Sequence, residues 1–117
     1  MFASEEQGMN YFKRVNILFA LHSLKYRDDE LLDQACDCVL KGKGNNTKNI
    51  TNLLYLLSKF KYQPDEAFLK KSSDILLKDL AIPVDLVCRN LWNFYSLDYY
   101  DEKLFDKFSD IIVKNHD

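Results

Sequence analysis

An internal repeat constrains the fold of this chain more than any other feature of its sequence. The stretch NILFALHSLKYRDDELLD, residues 16–33, is echoed at an offset of 36 by NLLYLLSKFKYQPDEAFL, residues 52–69. A further offset of 37 reaches RNLWNFYSLDYYDEKLF, residues 89–105. The matches include Leu18 with Leu54 and Leu91, Asn16 with Asn52, Asp29 with Asp65, and Tyr26 with Tyr62 and Tyr99. Copies of this length predict a solenoid, in which each unit packs against the next.

Each copy divides into two predicted helices with a turn between them. In the second copy, apolar residues recur at helical spacing from Ile50 to Phe60, and Tyr62-Gln63-Pro64 then interrupts the pattern. Pro64 suits the first turn of a new helix, and the acidic pair after it suits the positive end of the helix dipole. No segment alternates strictly enough to form a strand. We therefore predict six helices, near residues 4–25, 28–41, 47–61, 64–79, 83–98 and 101–115.

The predicted fold is all-α, an α-α superhelix (solenoid) of three helix-turn-helix repeats of about 36 residues. The repeats lie near residues 9–41, 47–79 and 83–115 of a single domain, 1–117. A single helical hairpin cannot bury its own apolar face, so neighbouring hairpins must share one elongated core. The residues expected in that core are Leu18, Leu21, Leu54, Leu57, Leu91 and Phe94. Tyr26, Tyr62 and Tyr99 are expected to pack at the hairpin corners, with hydroxyls reaching water or backbone.

Motifs for catalysis and for cofactor binding are absent from the sequence. It has no phosphate-binding glycine loop, no HExxH pair and no CxxC pair, so we predict no enzyme, no cofactor and no metal site. Cys36 and Cys38 lie two residues apart on a predicted helix and therefore point to different faces. No run reaches the roughly 18 apolar residues of a membrane span. With three cysteines in no disulfide pattern, the chain is expected to be intracellular or organellar.

Charge is sorted between the two classes of predicted helix. Counted from residue 9, the first helices of the repeats carry seven bases and two acids, a net charge of +5. The second helices, with Arg27 included, carry eight bases and fourteen acids, a net charge of −6. One helix of each stacked hairpin commonly lines the inner surface, and a basic layer there would suit a polyanion. The alternative is that the sorted charges only solvate two faces of the protein.

A polar–aromatic–polar line repeats along the first helices, opposite their apolar face. It comprises Phe12, Asn16, Phe19 and Ser23, then Lys48, Asn52, Tyr55 and Lys59, then Asp85, Arg89, Trp92 and Ser96. Aromatic rings can stack on unpaired bases, while amides and cations bond base edges or phosphates. The candidate RNA-binding residues are Asn16, Phe19, Lys48, Asn52, Tyr55, Lys59, Arg89 and Trp92. The alternative for the three rings is that they wedge between adjacent repeats as core.

These repeats carry a resemblance to a known family. The segments NLLYLLSKFKYQPDEAFLKKSSDIL and RNLWNFYSLDYYDEKLFDKFSDII resemble the helical repeats of the FAST kinase domain-containing proteins. They are also similar to repeats of related RAP-domain proteins and to octotricopeptide-like arrays. The shared pattern is a Leu-Leu-aromatic helix, a Tyr before the turn, a Pro-Asp-Glu helix start and a Leu or Phe pair, over about residues 12–113. Members are mitochondrial or plastid RNA-binding proteins that act in transcript stability, processing, translation or ribosome assembly.

The resemblance implies a non-enzymatic RNA-binding module in mitochondrial RNA metabolism, or in the assembly or structure of the mitochondrial ribosome. Its implied partners are an organellar transcript or ribosomal RNA, or protein subunits of a ribonucleoprotein, with no membrane and no small-molecule substrate. The chain departs from the family in having three repeats and no RAP domain, which a fragment or a small subunit of a larger assembly would explain. The absence of any kinase motif means that kinase activity is not implied.

Two other hypotheses remain open at this stage. The first is a cytoplasmic, tetratricopeptide-like scaffold that grips a partner protein's helix or tail, although the small Gly and Ala positions of that repeat are missing. The second is an accessory domain of an enzyme whose chemistry lies elsewhere. A steep dependence of binding on salt would distinguish RNA from a protein partner, because phosphate contacts release counterions.

Overall fold

A computed structural model describes the backbone of residues 3–42 and 45–115, and the side chains of residues 13–42 and 45–115. Over those residues the chain forms six α-helices and no β-strand. They are α1 (Ala3–Ser23), α2 (Asp29–Leu40), α3 (Thr47–Lys59), α4 (Glu66–Lys78), α5 (Val84–Ser96) and α6 (Glu102–Lys114). The all-α prediction is confirmed, and each helix begins and ends within two residues of its predicted bounds.

The turn inside each hairpin has the same backbone geometry in all three copies. Lys25, Lys61 and Asp98 are left-handed, with φ of 58°, 56° and 56°. The tyrosine after each one donates its amide to a carbonyl five residues earlier: Tyr26 to Leu21, Tyr62 to Leu57 and Tyr99 to Phe94, each at 2.9 Å. This is the Schellman arrangement, which satisfies a carbonyl that the helix end leaves without a partner. The three sequence copies therefore share one local turn structure.

The second helix of each hairpin begins after an aspartate. Asp28 accepts a hydrogen bond from the Leu31 amide, and Asp101 from the Leu104 amide, both at 3.1 Å. Such caps satisfy a backbone donor that has no partner inside the helix. Asp65 takes the same position before α4, but its side chain forms no cap hydrogen bond. The structural register therefore aligns Asp28 with Asp65, and the alignment of Asp29 with Asp65 from a constant offset is wrong by one residue.

The helices contact one another in two sets. The first helices of the copies pack in chain order, α1 on α3 and α3 on α5, and are called the A layer here. The second helices, called the B layer, do the same, α2 on α4 and α4 on α6. Contacts within each hairpin join the two layers.

The core residues predicted from the sequence are mostly buried. Leu18, Leu54, Leu57 and Phe94 are fully enclosed. Leu21 and Leu91 are only partly buried against the core, so their predicted full burial is wrong. They lie on α1 and α5, the outer helices of the A layer, which have a neighbour in that layer on one side only within the described residues.

The three turn tyrosines do not share one environment. Tyr62 and Tyr99 pack partly against the core as predicted, but Tyr26 is exposed, so the prediction is wrong for Tyr26. The Tyr62 hydroxyl donates to the carboxylate of Asp33 on α2, rather than to water or backbone. Tyr26 belongs to the first hairpin, and no earlier B-layer helix within the described residues offers a corresponding carboxylate.

Candidate nucleic-acid interface

Seven of the eight candidate residues line two adjoining grooves on the A layer. The aromatic groove, of about 530 Å³, is lined by Phe19, Thr51, Asn52, Tyr55, Cys88, Arg89, Trp92 and Asn93. The amide groove, also of about 530 Å³, is lined by Val15, Asn16, Phe19, Asn46, Lys48, Asn49 and Asn52. Phe19 and Asn52 belong to both, so the two grooves form a continuous surface across α1, α3 and α5.

The aromatic rings of the line lie at this surface. Tyr55 is 39% exposed and Trp92 is 58% exposed, whereas Phe19 packs partly against the core. The alternative that the rings wedge between repeats is therefore wrong for Tyr55 and Trp92 and holds in part for Phe19. On α5 the reason is that Asn90, which bonds Thr51 of α3, lies two residues before Trp92 and therefore on a different side of the helix.

Lys59, the eighth candidate, lies beside the aromatic groove. Its ammonium is 5.4 Å from the centre of the Tyr55 ring, within the range of a cation–π contact. It also lines a smaller pocket at the hairpin turns, with Lys25, Arg27 and Lys61. Lys59 thus connects the aromatic groove with a cluster of basic side chains at the hairpin turns.

Other members of the repeated line contribute less. The side chain of Phe12 lies outside the described residues. Asp85 and Ser96 are exposed on α5, and the hydroxyl of Ser23 donates to the Phe19 carbonyl at 3.2 Å. None of these three lines either groove among the described residues.

The grooves hold part of the basic charge predicted for the first helices. Lys48 and Arg89 are their cations, and among the described residues lining them none is acidic. Arg14 instead turns towards α2, where it donates to Gln34 and to the Cys38 sulfur, both at 3.1 Å. The net charge of the residues that line the grooves is therefore positive, but it is smaller than the +5 counted over the whole first helices.

A buried polar network joins α3 and α5 beneath the aromatic groove. Asn90 is fully buried and donates to the Thr51 hydroxyl at 2.8 Å, and that hydroxyl donates to the Thr47 carbonyl at 2.7 Å. The Asn93 amide donates to the Thr51 carbonyl at 3.3 Å. Since a buried polar group must keep its partners, the network fixes how α5 sits on α3. It thereby sets the position of Trp92 relative to Tyr55.

Sequence reasoning missed six groove residues and the buried residue Asn90 that supports them. The six are Val15, Asn46, Asn49, Thr51, Cys88 and Asn93. A signal was present in the repeat itself. Asn90 and Asn93 correspond, at the offset of 37, to Leu53 and Leu56 of the second copy, which are fully buried. Polar residues at positions that are apolar in another copy indicate a specific interaction, because burying an amide without partners is costly.

The substitution Asn90→Ala should lower the free energy of unfolding by about 1–3 kcal/mol, because it removes a buried hydrogen bond and leaves Thr51 with one bond fewer. Urea unfolding of the variant and of the unmodified chain measures the difference. Ser96→Ala, an exposed site on the same helix, serves as the control and should change stability by less than about 0.5 kcal/mol. Equal effects of the two substitutions would contradict a stabilising network.

The B layer presents a different surface. A groove of about 550 Å³ between α2 and α4 is lined by Asp33, Gln34, Cys36, Asp37, Leu40, Tyr62, Asp65 and Phe68. Burial raises the pKa of the Cys36 thiol, with Asp33 and Asp65 adding to the effect. Burial, followed by the hydrogen bond to Asp33, also raises the pKa of Tyr62. The thiol therefore stays protonated at neutral pH, and the acidic groove would repel a polyanion.

No protein-family model, curated protein or solved structure matches this chain. Within the described residues, no three His, Cys, Asp or Glu side chains converge as metal ligands would. Across the same part of the chain, no helix is both long enough and apolar enough to cross a bilayer.

Proposed function

We propose that this chain is a non-enzymatic RNA-binding module, an α-α superhelix of three hairpin repeats that binds single-stranded RNA along its A layer. The observation that carries the proposal is the meeting of exposed rings, amides and cations in two continuous grooves. Unpaired bases stack on aromatic side chains, and each such contact stabilises binding by about 1–3 kcal/mol.

Each chemical group in the grooves has a counterpart in RNA. Tyr55 and Trp92 expose ring faces for stacking. Arg89 and Lys48 supply the positive charge that phosphates require, without an acidic residue among the described lining residues. The amides of Asn16 and Asn52 can donate to and accept from base edges, which single strands leave free.

The packing of the hairpins supports the superhelix. Both layers pack in chain order, and the three turns share one left-handed residue and one tyrosine amide bond. In such a stack, equivalent residues of successive A helices follow one direction, as the candidate residues do across α1, α3 and α5. Three repeats can contact only a few nucleotides, so binding by this chain alone should be weak and should strengthen within a longer array or particle.

The resemblance of the repeats to those of FAST kinase domain-containing and RAP-domain proteins supports an organellar setting. We therefore propose that the module acts in mitochondrial RNA metabolism or in the assembly or structure of the mitochondrial ribosome. Its partners would be a transcript or ribosomal RNA together with neighbouring protein subunits. Co-sedimentation of the protein with mitochondrial ribonucleoprotein, lost after ribonuclease treatment, would test this setting, and exclusive recovery from the cytosol would contradict it.

Trp92 offers a direct test of RNA binding because it is the only tryptophan in the chain. Addition of an unstructured oligouridine of about eight nucleotides at low salt should quench its fluorescence. Trp92→Ala should weaken binding by about 5- to 150-fold, the equivalent of one lost stacking contact of about 1–3 kcal/mol. Fluorescence anisotropy of labelled RNA measures this loss.

Tyr100→Ala is the matched control, since this exposed ring lies at the α5–α6 turn and outside both grooves. It should leave RNA affinity unchanged. Equal binding of a blunt RNA duplex would contradict recognition of unstacked bases. Undetectable RNA binding at low salt, together with tight capture of a peptide in the aromatic groove, would support the scaffold hypothesis instead.

A further inference from the structure

Within the described residues, the C-terminal end of the A layer is an uncovered copy of an interface inside the molecule. On α3, Thr51 accepts a hydrogen bond from Asn90 of α5, and both Thr51 and its neighbour one turn along the helix, Leu54, are buried. Their equivalents on α5, at the offset of 37, are Cys88 and Leu91, of which the first is exposed and the second partly buried. One turn further along α5, Tyr95 is 75% exposed. This side of α5 would be covered if another A helix packed on it as α5 packs on α3.

The B layer ends in the same way. Ser73 on α4 is fully buried, and its hydroxyl donates to Asp101 at the start of α6 at 2.7 Å. Its neighbours on that side of α4, Leu69 and Leu76, are also buried. The equivalents on α6, at the offset of 36, are Phe105, Ser109 and Ile112. Phe105 and Ile112 are partly buried, and Ser109 is exposed. The C-terminal end face, formed by these residues and those of α5, is apolar with a small residue near its middle.

The N-terminal end of the A layer carries the complementary surface. Phe60, at the end of α3, contacts His22 of α1, and Asn90 and Asn93 of α5 bond Thr51 of α3. These three residues are buried, as are Leu53, Leu56 and Leu97, which share their side of the helix by spacing. The equivalents of Leu53, Leu56 and Phe60 in the first copy are Ile17 and Ala20 on α1 and Leu24 just after it, and all three are exposed, Leu24 by 75%. These three residues are called the N-terminal end face.

We propose that the C-terminal end face of one copy of this chain stacks on the N-terminal end face of a second copy, in the register of the internal repeat interfaces. This inference rests on the three-repeat arrangement proposed above but not on RNA binding. Inside the molecule, His22 of α1 contacts Phe60 of α3 with ring centres 5.5 Å apart. Between copies, Tyr95 of one copy would take the place of His22, and Leu24 of the next copy would take the place of Phe60.

The chemistry of the two end faces fits a second copy. Inside the molecule, Thr51 of α3 bonds Asn90 of α5. Between copies, Cys88 of one copy would take the place of Thr51, and Ile17 of the next copy would take the place of Asn90. No amide would then be buried without a partner at that contact, so apolar burial favours association. The two faces differ, so the contact is head-to-tail, and a head-to-tail contact continues into open chains or rings.

Sedimentation velocity of the nucleic-acid-free chain, from micromolar to millimolar concentration, tests the proposal. The average mass should rise beyond that of a dimer as concentration increases. Leu24→Arg should block the N-terminal end face, and Ser109→Arg should block the C-terminal one. Both sites are exposed, so both variants should fold. Each variant alone should remain monomeric, because each keeps only one functional face.

An equimolar mixture of the two variants should form a dimer and stop there, since each variant supplies the face that the other lacks. Ser109→Ala is the control and should associate like the unmodified chain, because it keeps a small residue on the end face. A monomeric mixture, a monomeric unmodified chain, or continued assembly of either Arg variant alone would overturn the proposal. RNA is absent throughout and neither substituted residue lines a groove among the described residues, so this outcome is independent of the RNA-binding test.

Discussion

Reversal of charge at Lys48, Lys59 and Arg89 together, each to glutamate, is expected to weaken RNA binding by about 100-fold or more at about 50 mM salt. Lys48 and Arg89 line the two grooves, and Lys59 lies against the Tyr55 ring at their rim. Each phosphate contact on a single strand contributes a slope of about −0.7 to the dependence of log affinity on log salt. Loss of three contacts should therefore flatten the slope by about 2, which titrations at several salt concentrations measure.

The matched control places the same charge reversal on the B layer. Lys70, Lys78 and Lys103 are exposed there and serve this purpose. Lys107 does not, because its ammonium donates to the Leu76 and Leu77 carbonyls at 2.9 Å and so supports the end of α4. The B-layer triple variant should keep most of the affinity and most of the salt slope. Equal losses from the two triple variants would show that the grooves are not the RNA site.

Replacement of Leu57 by alanine is expected to lower the free energy of unfolding by about 2–5 kcal/mol, the usual effect of a cavity in a packed core. Leu57 is fully buried on α3, the middle helix of the A layer, which packs against α1, α4 and α5. The surrounding helices are held on several sides, so they can collapse only partly into the space. Because small domains are stable by about 5–15 kcal/mol, this loss should visibly lower the urea midpoint.

Leu80→Ala provides the comparison for Leu57→Ala. Leu80 lies in the α4–α5 connection and is 97% exposed, so the same truncation there removes almost no buried surface. Its free energy of unfolding should change by less than about 0.5 kcal/mol. A loss below about 1 kcal/mol for Leu57→Ala would contradict a close-packed core around α3.

The site could be predicted only in part. The spacing along single helices identified seven residues that the structure brings onto one surface: Asn16, Phe19, Lys48, Asn52, Tyr55, Arg89 and Trp92. Their role in RNA binding stays a prediction. Thr51 and Asn93 were missed because their function depends on how α5 packs against α3, which a single-helix projection does not contain.

Charge counting was similarly limited. A count assigns every base of a helix to one layer, but a side chain can reach around its helix to a neighbour. Arg14 does this when it bonds Gln34 and Cys38 on α2. The direction of a long cationic side chain depends on partners that only the packed structure supplies.

The sequence by itself determined the six helices and the places of their turns, because apolar spacing and its interruptions act over a few residues. The exact helix starts were not determined in this way: Pro64, predicted at the first turn of α4, lies before the N-cap Asp65. The tertiary structure alone decided which of several equivalent residues are buried. Leu54 and Leu91 occupy one repeat position, yet Leu54 on the middle helix α3 is fully buried and Leu91 on the outer helix α5 is only partly covered. Burial of a repeated residue depends on whether a neighbouring helix covers it, and that neighbour lies about 36 residues away in sequence.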